Sequence, residues 1–361
     1  MSDPDAPTSS GSATRKIKWL AIAVVVLIVV YSGGWLFLAS RVDGAVERAI
    51  AQAEADGAEI VCEDQAVRGY PFRLGLRCAS TGLATPDGTR VEAGTFRSAA
   101  QVYEPNRIVS ELESPASFAA PGVAGTAEWS QARASSRFGT DGLQLGTLSL
   151  EDVRLNVEAE GAVPIAAQVS RALASIRPNG TDLDAALNVD GLDIGPIEGR
   201  DFPSTTLNLD ATLSDAAGAL GGEQIETLRG RTLTIRSAGL ALVGGGRLEA
   251  SGALDVGPQG YPTGKIEFGL SDPAATISAL GTLFPDQAGV LRTVGGVLEG
   301  ASGSGGGFLS GVLGGGNASE QQVTVVDGEA APDALTSLTV SFQDGRARVG
   351  FIPLGRVPPL P

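Results

Sequence analysis

The sequence predicts a mainly β protein: a long curved antiparallel sheet, built as a meander, groove or partly closed barrel, behind an N-terminal single-span helix and with a few packed helices. Three observations carry this. From residue 58 onward apolar side chains recur at every second position in run after run, the period of a strand with one apolar face. Turn chemistry separates the runs, with Asn179-Gly180 and Asp344-Gly345 suited to two-residue hairpins and a Gly244–Gly246 run between two others. One uncharged stretch, residues 19–39, stands apart from the rest.

Residues 1–14 are polar and rich in Ser, Pro and Asp, and read as a disordered cytoplasmic tail. Residues 15–40 read as a transmembrane anchor. The apolar run is long enough at helical rise to cross a ~30 Å hydrocarbon core. Arg15, Lys16 and Lys18 flank its start, and Trp19, Tyr31 and Trp35 are rings suited to headgroup levels. The positive-inside rule then places the N-terminus in the cytoplasm and the bulk of the chain in the periplasm, with the span in the inner membrane. A cleaved signal peptide is the alternative, but its apolar region usually runs ~7–15 residues and ends in an A-x-A-like site. Here Phe37 or Leu38 stands where the first small residue of that site belongs.

Residues 41–57 follow as an amphipathic helix, with Val42, Ala45, Val46, Ala49, Ile50 and Ala53 on one stripe and Gly57 as its stop. The β domain occupies 58–361. Phe72, Leu74, Leu76 and Cys78 alternate with Arg73, Gly75 and Arg77, and Ile60 shares a face with Cys62. Both cysteines lie beyond the anchor on apolar faces, so a disulfide between Cys62 and Cys78 is expected, worth ~3 kcal/mol in the chain-entropy picture. Residues 273–299 break the alternation with helical spacing, divided at Pro285, and 300–320 form a flexible Gly-rich loop that carries Phe308, Leu309, Val312 and Leu313.

Composition narrows the function. The net charge of −15 argues against nucleic acid and against docking on anionic headgroups. With no His, the commonest general base and metal ligand are missing, and no catalytic signature is present. No metal, no cofactor and no enzymatic activity are expected. Asp182, Asp184 and Asp190 alternate along one strand and read as a solvated sheet face rather than a cation site, and the Asn317-Ala318-Ser319 sequon reads as accidental.

The collective feature is the apolar face. Leu183, Leu187, Leu207, Leu209, Leu233, Ile235, Ile266 and Phe268 fall on its inward positions and are the candidate lining of a site for lipid or another apolar ligand. Two other classes stay open: a structural or protein-interaction role with the face filled as core, and a carboxylate hydrolase, for which no acid and base come together in the sequence.

Two segments carry a family resemblance. Arg68, Gly69, Pro71 and Phe72 lie between the cysteines, and Gly345, Gly350, Pro353 and Gly355 lie near the C-terminus. With the anchor, they resemble the bacterial envelope family catalogued as domain of unknown function 2125, over most of the chain, although Phe351 stands where a proline is common. That family implies no activity and no catalytic residues. More loosely the chain resembles the AsmA-like proteins, which implies a long curved sheet with a hydrophobic groove and a part in moving phospholipid between membranes.

Overall fold

A computed structural model describes residues 11–196, 201–221, 225, 227–243, 246–271 and 336–360, with Thr276, Gly281 and Gly289. The anchor and the amphipathic run form one unbroken helix, α1 (Gly11–Ala55), which begins inside the tail expected to be disordered. From Arg15 it is long and apolar enough to cross a membrane, and its apolar side chains are exposed. It ends in a Schellman motif. Gly57, at φ 89°, donates to Glu54 O at 3.0 Å, and Ala58 donates to Ala53 O at 2.9 Å.

Among the described residues, all twenty strands belong to one open antiparallel sheet. The first strands are halves of longer lines, each broken in the middle. β1 (Glu59–Cys62) continues as β2 (Ala66–Arg68), and β3 (Arg73–Cys78) as β4 (Thr81–Ala84). β5 (Arg90–Ala93) with β6 (Phe96–Gln101), β7 (Glu104–Leu112) with β8 (Ala116–Ala120), and β9 (Val123–Glu128) with β10 (Gln131–Gly139) repeat the pattern. One half-sheet is hydrogen-bonded in the order β1-β4-β5-β8-β9 and the other as β2-β3-β6-β7-β10. The long strand β11 (Gly142–Ala159) joins both, pairing with β10 through one half and β9 through the other.

Beyond it the meander is regular: β12 (Ile165–Asn179), β13 (Asp182–Ile194), β14 (Thr205–Leu213), β15 (Thr232–Leu242), β16 (Arg247–Val256), β17 (Pro262–Ser271), β18 (Thr336–Gln343), β19 (Arg346–Val349) and β20 (Ile352–Arg356). Each pairs with its neighbour in sequence. Asp344 and Gly345 form the β18–β19 turn, both with positive φ, as two-residue hairpin chemistry requires. Asn179 instead belongs to β12, and Gly180 and Thr181 make that turn. The helical segment 273–299 lies outside the described residues apart from Thr276, Gly281 and Gly289. The loop 300–320 and Gly244–Gly245 lie wholly outside them.

The mid-strand breaks line up as a crease across the sheet. Glu63 donates to Ser80 O at 3.1 Å, Glu113 to Thr95 O at 2.9 Å and Ser130 to Glu151 O at 3.0 Å, so the ladder is bridged where it kinks. Trp129 sits on the line, its indole N–H donating to Leu112 O at 2.9 Å. The crease runs on through Asp152 (φ 49°) and Gly191 (φ 61°), and there the alternation slips by one residue, from Leu148 and Leu150 to Val153 and Leu155 in β11. The Cys62–Cys78 disulfide joins one side of the crease to the other on a single face, with Cys78 buried.

The buried apolar residues gather toward the C-terminal strands, where Ile266, Leu270, Val340 and Ala347 are under a tenth exposed. α1 packs along β1 and β2 at the opposite edge. At the C-terminal edge the last residues fold back, with Val357 donating to Gly345 O and Leu360 to Gly260 O, both at 2.7 Å. Prolines 353, 358 and 359 deny that edge a regular row of donors, which discourages further strand addition.

Candidate functional site

Cross-strand partners point to the same side of a sheet, so the register identifies the apolar face directly. All eight residues proposed as lining lie on one face. Leu187, Leu209 and Phe268 belong to one transverse row, Leu187–Leu209–Ala238–Ala250–Phe268. Leu183 and Leu233 belong to a parallel row, Leu183–Leu213–Leu233–Leu254, and Leu207 stands opposite Leu240 and Val189 in a third.

Between the first two rows runs another, containing Ile235 and Ile266: Leu74–Ala100–Ile108–Ser136–Gly146–Ile176–Ala185–Ala211–Ile235–Gly252–Ile266–Val340. It mixes bulky side chains with Gly, Ala and Ser, so against the flanking leucines it forms a shallow trough. At about 4.8 Å per strand the trough extends on the order of 50 Å along the sheet surface. Its cover differs along its length. Ile176, Leu187 and Leu209 are more than a third exposed, whereas Ile266 and Val340 are 4% and 6% exposed. The middle is open and the C-terminal end is core.

At its other end the trough meets α1. Tyr31, Trp35, Phe37, Leu38 and Val42 from the helix and Leu74, Leu76, Ala100, Val102 and Ile108 from the sheet enclose a cleft of about 720 Å³ with an overwhelmingly apolar lining. The turn between β2 and β3 locks this junction. Trp35 Nε1 donates to Arg73 O at 2.9 Å, Ser32 Oγ and Tyr70 OH lie 2.8 Å apart, and Tyr31 OH donates to Pro71 O. Trp35 and Tyr70 stack edge to face at 5.5 Å. Further along, Gln65 Nε2 donates to Asp43 Oδ1 at 2.7 Å. The helix half of this cleft escaped sequence analysis, because Tyr31 and Trp35 served equally well as headgroup-level rings.

The segments that carried the family resemblance mark the two edges of the sheet. Arg68, Gly69, Pro71 and Phe72 build the turn that docks on α1, where the Tyr70–Pro71 bond is cis. Gly345, Gly350, Pro353 and Gly355 shape the final two hairpins, and a Cβ on Gly345 would lie 2.6 Å from the Tyr261 ring. Gly69 and Pro71 at one end of the trough, and the C-terminal positions at the other, hold architecture.

The opposite face holds a polar cluster that the sequence misdescribed. Asp184 is 4% exposed rather than solvated. It accepts from Thr212 Oγ1 at 2.7 Å and pairs with Arg177 and Arg236, each at 3.0 Å. The Thr212 hydroxyl, then Arg236 and Arg177, hold its carboxyl well below the ordinary range against the cost of burial. Arg236, raised chiefly by hydrogen bonding to Asp210, occupies a bulge where β15 carries an extra residue relative to β14. The slip in Leu233-Thr234-Ile235-Arg236-Ser237-Ala238 was the signal for it. Its carboxylate committed to these partners, Asp184 serves structure. Among the described residues no group of three or more metal-ligating side chains converges.

In comparison with known proteins, residues 35–358 match the family described as uncharacterized protein conserved in bacteria (DUF2125). No curated protein and no solved structure matches.

Proposed function

Because the chain belongs to the DUF2125 family, described as uncharacterized protein conserved in bacteria, we propose its function from its own geometry: a membrane-anchored, non-catalytic binding protein that shelters acyl chains along the apolar trough. In this reading α1 is an uncleaved anchor in the inner membrane, the N-terminus is cytoplasmic and the sheet domain is periplasmic. A phospholipid or related apolar ligand enters at the cleft between α1 and the sheet.

The carrying observation is that the cleft and the trough are continuous. Leu74, Ala100 and Ile108 line the first and open the row that forms the second. The cleft also borders helix residues 31–42, part of which falls in the apolar span, so an acyl chain would pass from bilayer to protein without crossing water. A cleft of this size and apolarity falls in the range typical of ligand sites.

The test uses the full chain in nanodiscs containing a phospholipid with a photoactivatable group at the acyl terminus. Crosslinks to Leu74, Ile108, Ile176 or Leu209 are expected. Ala100→Trp, which fills the cleft, should abolish those at Ile176 and Leu209. Crosslinks confined to helix residues 19–30 would overturn the proposal and favour a purely structural role.

A further inference from the structure

On the face opposite the trough, beside the same docking turn, arginines crowd a groove of about 690 Å³. Arg68 and Arg73 flank the turn, Arg77 follows along β3, and Arg107 enters from β7. All four are exposed, and among the described residues none has an ion pair or a side-chain hydrogen bond. The nearby acids do not neutralise them. Glu111 is held by Arg133 at 2.6 Å, and Glu113 is paired with Arg97, which leaves Glu104 facing four guanidiniums. The net charge of −15, which argued against anionic headgroups, does not describe this surface.

With α1 read as a membrane span, the groove lies at membrane height. The turn docks on Tyr31, Ser32 and Trp35, inside the apolar stretch that ends at residue 39. At 1.5 Å per residue, Trp35 sits about 6 Å below that end. The tip of the sheet there is apolar and bare, with Phe72 68% and Tyr103 78% exposed. Val102 donates to Phe72 O at 3.0 Å and ties the two turns into one edge. Aromatic rings with arginines directly behind them are the arrangement that suits a headgroup boundary.

We propose that this end of the sheet is a second membrane contact: Tyr70, Phe72 and Tyr103 enter the outer boundary of the bilayer, and Arg68, Arg73, Arg77 and Arg107 bind the phosphates of anionic phospholipids in that leaflet. Guanidinium matches phosphate oxygens in two-point geometry, which a lysine patch would not provide. The contact rests on reading α1 as a membrane span, and it would hold the mouth of the cleft against the lipid from which it fills.

The experiment is hydrogen–deuterium exchange on the full chain in nanodiscs of phosphatidylcholine with and without phosphatidylglycerol. Amides of the turns at 69–72 and 102–103 should be protected in the anionic discs, with protection falling about fivefold for each Arg→Gln substitution among the four. Because a combined variant can misfold, the single variants Arg68→Gln and Arg107→Gln are compared, and the unmodified protein is also measured at raised salt, which should remove the protection. Equal protection in both discs would overturn the proposal. Protection restored in phosphatidylcholine discs by inorganic phosphate would reassign the groove to a free anion and overturn the lipid assignment. Failure to enter the discs would remove the span and the proposal with it. Acyl crosslinking at Ile176 and Leu209 is read separately, so loss of headgroup contact is distinguishable from loss of the trough.

Discussion

At the scale of single residues, the best-defined energetic element is Asp184. Its carboxyl is buried on a sheet face and satisfied by Thr212, Arg236 and Arg177, which depresses its pKa. A depressed folded pKa means stability that is present above the unfolded value of ~3.9 and is lost as pH falls toward the folded one. Asp184→Asn should therefore cost roughly 1–3 kcal/mol at neutral pH by leaving donors without their acceptor. It should also flatten the loss of stability below about pH 4, measurable as denaturant midpoints against pH. The disulfide is the second residue-scale device. Cys62→Ser with Cys78→Ser should lower stability by ~3 kcal/mol under non-reducing conditions, and reductant should then destabilise only the unmodified protein. The disulfide was legible in the sequence because two cysteines on apolar faces have few alternatives. Asp184 was misread because alternation assigns a face but not the depth of cover over it.

Among elements, the crease is what periodicity alone could not deliver. The runs on each side were visible as separate short strands, but not that pairs of them continue one another, since pairing across a break depends on register in the neighbouring line. The slip in β11, β12 and β13 is also a local signal easily taken for noise. Gly191 is one of its hinges, at φ 61°. A Cβ there would lie 2.5 Å from Ser170 Oγ. Gly191→Val should therefore cost about 1–3 kcal/mol through backbone strain and crowding. Amide exchange should rise locally along the Ser170–Gly191 line, while β16 and β17 stay protected. A uniform rise across the sheet would mean that the crease is not an independent feature.

Across the molecule, the open and closed ends of the trough predict different mutational responses. Ile266 is 4% exposed, so Ile266→Ala should cost roughly 2–5 kcal/mol as a core truncation. Leu187 and Leu209 are 37% and 38% exposed, so Leu187→Gln and Leu209→Gln should shift the denaturation midpoint little, within ~1 kcal/mol, yet weaken acyl crosslinking. A large loss of stability in the leucine variants would identify the middle of the trough as core instead. The contrast follows from cover: one chemical face is core at its C-terminal end and exposed at its middle.

The sequence by itself determined the order of the parts: an apolar helix first, then an antiparallel meander with one apolar face, and a disulfide near its start. These are local properties, since a span needs only length and apolarity, and a half-buried strand needs only a period of two. It also singled out eight residues that share a face, because alternation within a strand decides sidedness. Tertiary structure alone decided that this face runs unbroken to a cleft against α1, that its middle is open, and that arginines from β2, β3 and β7 meet beside the turn docked on α1 in an otherwise acidic chain. Each of those depends on which distant strands lie side by side, and long-range register and cover are set by the whole folded sheet rather than by any one run of residues.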